Sequence, residues 1–183
     1  KRNSRPYVFV SGSMQSEHPW IEIAAIVRAA QVRRIVESSK VGIAGHAFNG
    51  MGDLGVDTTF LNARLGVEVE HLSLGSIAEH VGSVSKKAVL EESSRDRKRF
   101  EIEDSVEDEI LNESNRLYLG LRAALEERSI GAFTMHFQAI LDNRDIRTPP
   151  FLAISKLQEQ GIGYAGEGDA LGAAANLMLH LLC

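Results

Sequence analysis

Only one cysteine occurs in the 183 residues, and it is the last of them, Cys183. No intrachain disulfide is possible, which fits a reducing compartment and makes the cytoplasm the expected location. Long apolar runs are absent too. Tyr7–Ser11 is too short for the apolar core of a signal peptide. The stretch Ala170–Cys183 is short for a membrane span and is interrupted by Asn176 and His180. Positive charge is not in excess: 20 Lys and Arg face 25 Asp and Glu, a formal net charge of -5. An acidic surface attracts neither nucleic acid nor an anionic membrane, so neither is expected as a partner. Several chemical signatures are missing as well. No glycine loop matches GxGxxG or ends in Gly-Lys-Ser/Thr, which weakens nucleotide binding. Gly12-Ser13 does not make a GxSxG elbow, which argues against a serine hydrolase. The six histidines (His18, His46, His71, His80, His136, His180) show no HxxxH or HxH spacing, so no compact metal site is visible. There is no internal repeat.

What is present is the balance of a soluble globular chain, 44% hydrophobic and 25% charged, long enough for one well-buried domain. Short apolar runs alternate with helical patterns, the signature of βα units on a mostly parallel sheet. Strands are expected at Tyr7–Ser11, Lys40–Ala44, Val67–Leu72, Ala132–Phe137 and Ile162–Ala165. Helices are expected over Trp20–Ser38, Thr58–Leu65, Ser73–Gly82, Val106–Arg128 and Phe151–Gln160, with a last one capped by Asp169. In the first helix, Ile21, Ala24, Ala25, Val32, Ile35 and Val36 define a buried face in which Arg28 is the exception. Gly66 suits the residue that ends the Thr58–Leu65 helix. The charged stretch Ser83–Glu113 reads as a solvated helix or an extended excursion. The fold expectation is therefore a three-layer α/β/α domain, flavodoxin-like, with a mostly parallel sheet of about five strands. A start at Lys1 and an end just after an apolar helix lead us to expect a piece of something longer.

Three segments hold candidate chemistry. In Gly161-Ile162-Gly163-Tyr164-Ala165-Gly166-Glu167-Gly168-Asp169, a β-compatible run ends in a carboxylate flanked by glycines, and a helix follows at once. Groups at the carboxyl ends of strands can be aimed into a shared crevice, and the glycines allow a sharp turn and a close ligand. The competing interpretation is an exposed loop glutamate facing a helix N-terminus. The second segment is Gly45–Asp53, a glycine-rich loop after a strand, equally readable as a plain turn-rich loop or as one facing a substrate. The third is Phe133–Phe137. Its His136 could be a ligand or a general base, but a lone histidine is more often simply hydrogen-bonded in place.

The stretch ending in Gly-Glu167-Gly-Asp169, preceded by Ala132-Phe-Thr-Met-His-Phe137 and an intervening helix, resembles the corresponding stretch of the L-arabinose isomerases and the related L-fucose isomerase superfamily. Weaker similarity extends upstream through Lys40-Val-Gly-Ile-Ala-Gly45. The resemblance implies that residues 1–39 are the end of an N-terminal domain, a strand plus a helix, packed on the next domain. Residues 40–183 would be the middle α/β domain, and the C-terminal catalytic domain would be absent from this chain. It further implies a metal-dependent aldose–ketose isomerase acting on a pentose or deoxyhexose through an enediol. Glu167 would be both a catalytic acid/base group and a ligand of a divalent metal, Mn2+ by the resemblance, whose other ligands lie downstream. Phe137, Phe48 and Met51 would line the sugar pocket. A homo-oligomer with a small-molecule sugar substrate is implied, and a fragment alone would be inactive. Ala170 stands where the arabinose branch usually carries tryptophan, so the sugar is left open. The alternative is a non-catalytic sugar-binding or assembly module of the same fold.

Overall fold

The computed structural model describes residues 7–141 and 146–183. Four strands, β1 (Lys40–Ala44), β2 (Glu68–Leu72), β3 (Ile130–Met135) and β4 (Gly163–Gly166), form one parallel sheet in the order β2-β1-β3-β4. This is the flavodoxin-type order through its first four strands. Among the described residues eight α-helices surround the sheet: α1 (His18–Val36), α2 (Thr58–Leu65), α3 (Leu74–Ser83), α4 (Lys86–Arg99), α5 (Asp108–Glu127), α6 (Phe137–Leu141), α7 (Phe151–Glu159) and α8 (Ala170–Leu182).

Side chains alternate across the central strands and feed two cores. Phe133 and Met135 face a cluster with Ile77 and Val81 of α3, Leu117, Leu121 and Leu125 of α5, and Ile154 and Leu157 of α7. Val41, Ile43 and Ala132 face the other way, onto Val32 and Val36 of α1, Leu61 of α2, and Ala173 and Leu177 of α8. The connection from β1 to β2 thus runs over one face, through α2. Those from β2 to β3 and from β3 to β4 run over the other. The strand order reverses between β1 and β3, and α/β proteins of this type bind ligands at that point, beyond the carboxyl ends of the strands.

Local chemistry sets the helix ends. Asp57 accepts hydrogen bonds from the amides of Thr59 and Phe60 at the start of α2. Gly66 ends that helix in the left-handed region, at φ 76°. Asp169 caps α8 by accepting from the Gly172 amide, as its position before the helix suggests.

Three expectations are corrected. Tyr7–Ser11 is not a strand: no strand pairs with it, and Tyr7 and Phe9 are largely exposed. A β-prone run that pairs with no strand forms no ladder, so among the described residues the sheet has four strands where the pattern suggested about five. The expected buried face of α1 is buried only at Val32 and Val36. Ile21 and Ile35 are exposed, because α1 meets the rest of the described structure mainly through its C-terminal half and α8. There Arg28, exposed, donates to the Leu182 carbonyl at 2.9 Å. The charged stretch after α3 is not simply solvated either. In α4, Glu92, Ser93 and Asp96 are buried, and Lys156 of α7 lies buried against them. Its ammonium donates to Asp96 at 2.7 Å and to Asn115 at 2.8 Å, and pairs with Glu92 at 2.6 Å.

Candidate active-site edge

The carboxyl ends of β1, β3 and β4 bring the three candidate segments together. β4 runs into a tight turn in which the Asp169 amide donates to the Gly166 carbonyl at 3.0 Å. The two central residues both have positive φ, 62° at Glu167 and 85° at Gly168, the combination of a type I′ turn. Such a conformation costs a residue with a Cβ roughly 1–2 kcal/mol. The sequence suggested that the flanking glycines would do the turning. In fact the glutamate itself takes the strained conformation, and strain of this kind concentrates at functional sites.

The role of Gly168 is close approach. A Cβ there would lie 2.6 Å from the His46 carbonyl oxygen, so no other residue fits without movement. That proximity ties the β4 turn to the loop after β1, and the Phe48 amide completes the tie by donating to the Glu167 carbonyl at 2.8 Å. The β3 segment joins through the His136 amide, which donates to the Ala44 carbonyl at 3.1 Å.

The Glu167 side chain is held differently. Its Oε2 is buried and has no hydrogen-bond partner among the described residues. Leaving a buried polar atom unpaired costs about 1–3 kcal/mol, and more for a charged group. Tyr164, half-buried on the same strand with its ring 4.9 Å from that of Phe133, feels this carboxylate. Burial first, and the Glu167 charge second, push its phenol up to about 12. The sequence reading missed Tyr164 as part of the site. Its signal was the spacing Tyr164-x-x-Glu167 across the strand end.

An aromatic group fills the space between the β1 and β3 loops. Phe48 lies 5.1 Å from His136 and 6.4 Å from Phe137, ring centre to ring centre, and the His46 ring lies 4.5 Å from His136. Phe48 and Phe137, both expected in a pocket, are thus brought together. Met51 lies on the same loop, its amide donating to the Phe48 carbonyl at 3.1 Å, with its side chain largely exposed. His136 is buried, and its Nδ1 accepts from the Ala139 amide at 3.2 Å, so it is hydrogen-bonded in place as its isolation suggested.

A cation fits one feature of this edge, the orphaned carboxylate oxygen of Glu167. No group of three or more His, Cys, Asp or Glu that could hold a metal ion occurs among the described residues, so Glu167 would belong to an incomplete ligand set.

The class defined by this architecture is a parallel α/β/α domain with a carboxylate and an aromatic cluster at its ligand-binding edge. The chain belongs to the family described as L-arabinose isomerase central domain, whose model matches residues 44–182. It is 29% identical over 170 residues to the L-arabinose isomerase of Saccharophagus degradans, covering 90% of this chain and 33% of that protein. Against the L-arabinose isomerase of Yersinia enterocolitica it is 26% identical over 198 residues, covering 97% of this chain and 38% of that protein. The chain spans about a third of the length of these curated relatives. No helix among the described residues is long and apolar enough to cross a membrane.

Proposed function

We propose that the whole protein is a divalent-metal-dependent isomerase that interconverts an aldose and a ketose of the pentose or deoxyhexose class through an enediol. This chain supplies one carboxylate wall of the site. The observation that carries the reading is the Glu167 side chain: half-buried, its Oε2 buried without a partner among the described residues, and held at the carboxyl edge of the sheet by a strained turn. A base for this reaction must take the C2 proton of the aldose and return it to C1, while a hydroxyl proton moves from O2 to O1. A carboxylate kept free of competing donors and fixed against the substrate is suited to both transfers. Phe48 and Phe137 bound the apolar side of the sugar and keep water from the enediol. The protonated Tyr164 phenol stays beside Glu167 without adding charge.

When bound, the metal, expected to be manganese, would stabilise negative charge on the two sugar oxygens. Glu167 Oε2 is the atom of this chain placed to hold it. One carboxylate does not fill a coordination sphere, so the other ligands belong to other parts of the whole protein. The isolated chain therefore binds manganese weakly and turns over no sugar. The exposed apolar first half of α1 supports the reading that the segment before β1 packs on another part of the whole protein.

The test is Glu167→Gln in the whole protein, assayed with manganese on a panel of pentoses and deoxyhexoses. Gln keeps the shape and removes the proton acceptor, so turnover should fall to background while sugar binding persists. Undiminished turnover in the variant, or a whole wild-type protein inert toward every sugar, would sink the proposal.

A further inference from the structure

His46 and His136 sit 90 positions apart in sequence and meet at the strand-order reversal, one from the β1 loop and one from the end of β3. Their backbone hydrogen bonds fix opposite tautomers. The His46 Nδ1 lies 2.8 Å from the Ala47 carbonyl, which can only accept, so His46 carries its proton on Nδ1 and leaves the Nε2 lone pair open. The His136 Nδ1 lies 3.2 Å from the Ala139 amide, which can only donate. His136 therefore carries its proton on Nε2 in the neutral ring. Neither Nε2 has a partner among the described residues. Two rings 4.5 Å apart thus present one lone pair and one N–H. Phe48 stacks on His136 at 5.1 Å and fixes its plane.

A hydroxyl group is both donor and acceptor, and this pair offers its complement. We infer that His46 and His136 together read one hydroxyl of an open-chain polyol substrate, His46 accepting from it and His136 donating to it. They set which sugars are accepted and take no part in the proton transfer. The inference rests on the reading of this edge as the sugar site and deepens it. An anion would find only one donor here, and a cation only one lone pair.

Substitutions can separate this role from a structural one. In Asn, the side-chain oxygen can replace Nδ1 of His136 toward the Ala139 amide, and the amide N–H can replace Nδ1 of His46 toward the Ala47 carbonyl. Asn cannot reach the Nε2 position at either site, whereas Gln can. The experiment is calorimetric titration of the whole protein with L-arabinitol, a pentitol that cannot isomerise, for wild type, H46N, H136N, H46Q and H136Q. Losing one hydrogen bond should weaken binding roughly three- to tenfold in each Asn variant, and the Gln variants should recover most of it. Asn variants that bind like wild type, equal losses for Asn and Gln, or a wild type that does not bind the pentitol would each overturn the inference. If pentitol binding shows the Asn–Gln contrast but no sugar is turned over, the isomerase reading fails and the hydroxyl-reading pair stands. If sugars are turned over without the contrast, the reverse holds.

Discussion

Two acidic sites among the described residues, one buried and one half-buried, are built on opposite plans. At the α4–α5–α7 junction, Glu92 and Asp96 meet Lys156, whose ammonium also donates to Asn115 and lies 4.4 Å from the Tyr118 ring centre. The Asn115 amide donates to Asp96 at 2.7 Å, and the exposed Arg95 donates to Glu92 at 2.9 Å. Every charge there has a partner. Burial pushes the Glu92 carboxyl up, but Lys156 and then Arg95 outweigh that and leave it below its ordinary 4.5. At the end of β4, Glu167 has a strained backbone and one oxygen with no partner. A fully satisfied network holds helices in register. An unsatisfied carboxylate in a strained turn costs stability and is kept for something outside the fold.

Exchanging the roles of the two sites should fail in opposite ways. The largest effect expected is on turnover. Glu167→Gln should lower kcat of the whole protein by roughly 10²- to 10⁴-fold, the span ascribed to a positioned acid or base, with its circular dichroism and Tm unchanged. Lys156→Met should do the reverse. It leaves Asp96 buried without its counter-charge and Glu92 with only the exposed Arg95, a loss of about 3–5 kcal/mol. Denaturant unfolding reads that loss, and turnover per folded molecule should stay at the wild-type level. The pH dependence carries the same signature. The folded-state value of Glu92 lies below the unfolded one, so its contribution is present above pH 4.5 and is lost as pH falls below it. In Lys156→Met that acid limb should flatten. A limb as steep as in wild type would mean that other carboxylates dominate acid unfolding.

Neither plan was equally open to the sequence. Alternating apolar runs and helical periods gave the βα order, and Gly66 and Asp169 marked helix ends where the structure has them. The glycine-flanked Glu167 stood out because its oddity is local. Partners distant in the chain did not stand out. Glu92 and Asp96 look like members of a solvated charged helix because periodicity identifies a face but not what covers it. A signal existed in α7: Lys156 interrupts the buried stripe Ala153, Ile154, Leu157, and a lysine in such a stripe needs buried acids opposite. The meeting of His46 with His136, and of Tyr164 with Glu167, depends on strand order and on the turn after β4. Tyr7–Ser11 failed in the other direction, a strand-like composition that pairs with no strand of the described sheet.

A smaller effect sharpens the claim that Glu167 is costly. Glu167→Gly removes both the left-handed Cβ and the orphaned oxygen. Relief of roughly 1–2 kcal/mol of backbone strain is partly offset by the freer unfolded chain, leaving a gain of about 0.5–1 kcal/mol. A variant that is more stable yet inactive would show that the strain is maintained against the interest of the fold. A destabilised one would mean that the Glu167 side chain packs as an ordinary structural residue, and the contrast between the two acidic sites would collapse.

The smallest effect is spectroscopic and concerns only the neighbourhood of the carboxylate. Tyr164 should ionise near 12, above the ordinary tyrosine value, because burial and the Glu167 charge both oppose a phenolate. An alkaline absorbance titration should therefore contain a late phase that vanishes in Tyr164→Phe. The phenol value is raised on folding, so its contribution to stability is intact below about 10, the ordinary tyrosine value, and is lost as pH climbs through about 12. In Glu167→Gln the late phase should move to lower pH without reaching the ordinary value, since the second cause is gone and the first remains. If the phase stays put, Glu167 is farther from the phenol or better screened than the structure places it, and its isolation as an unpartnered charge would have to be given up.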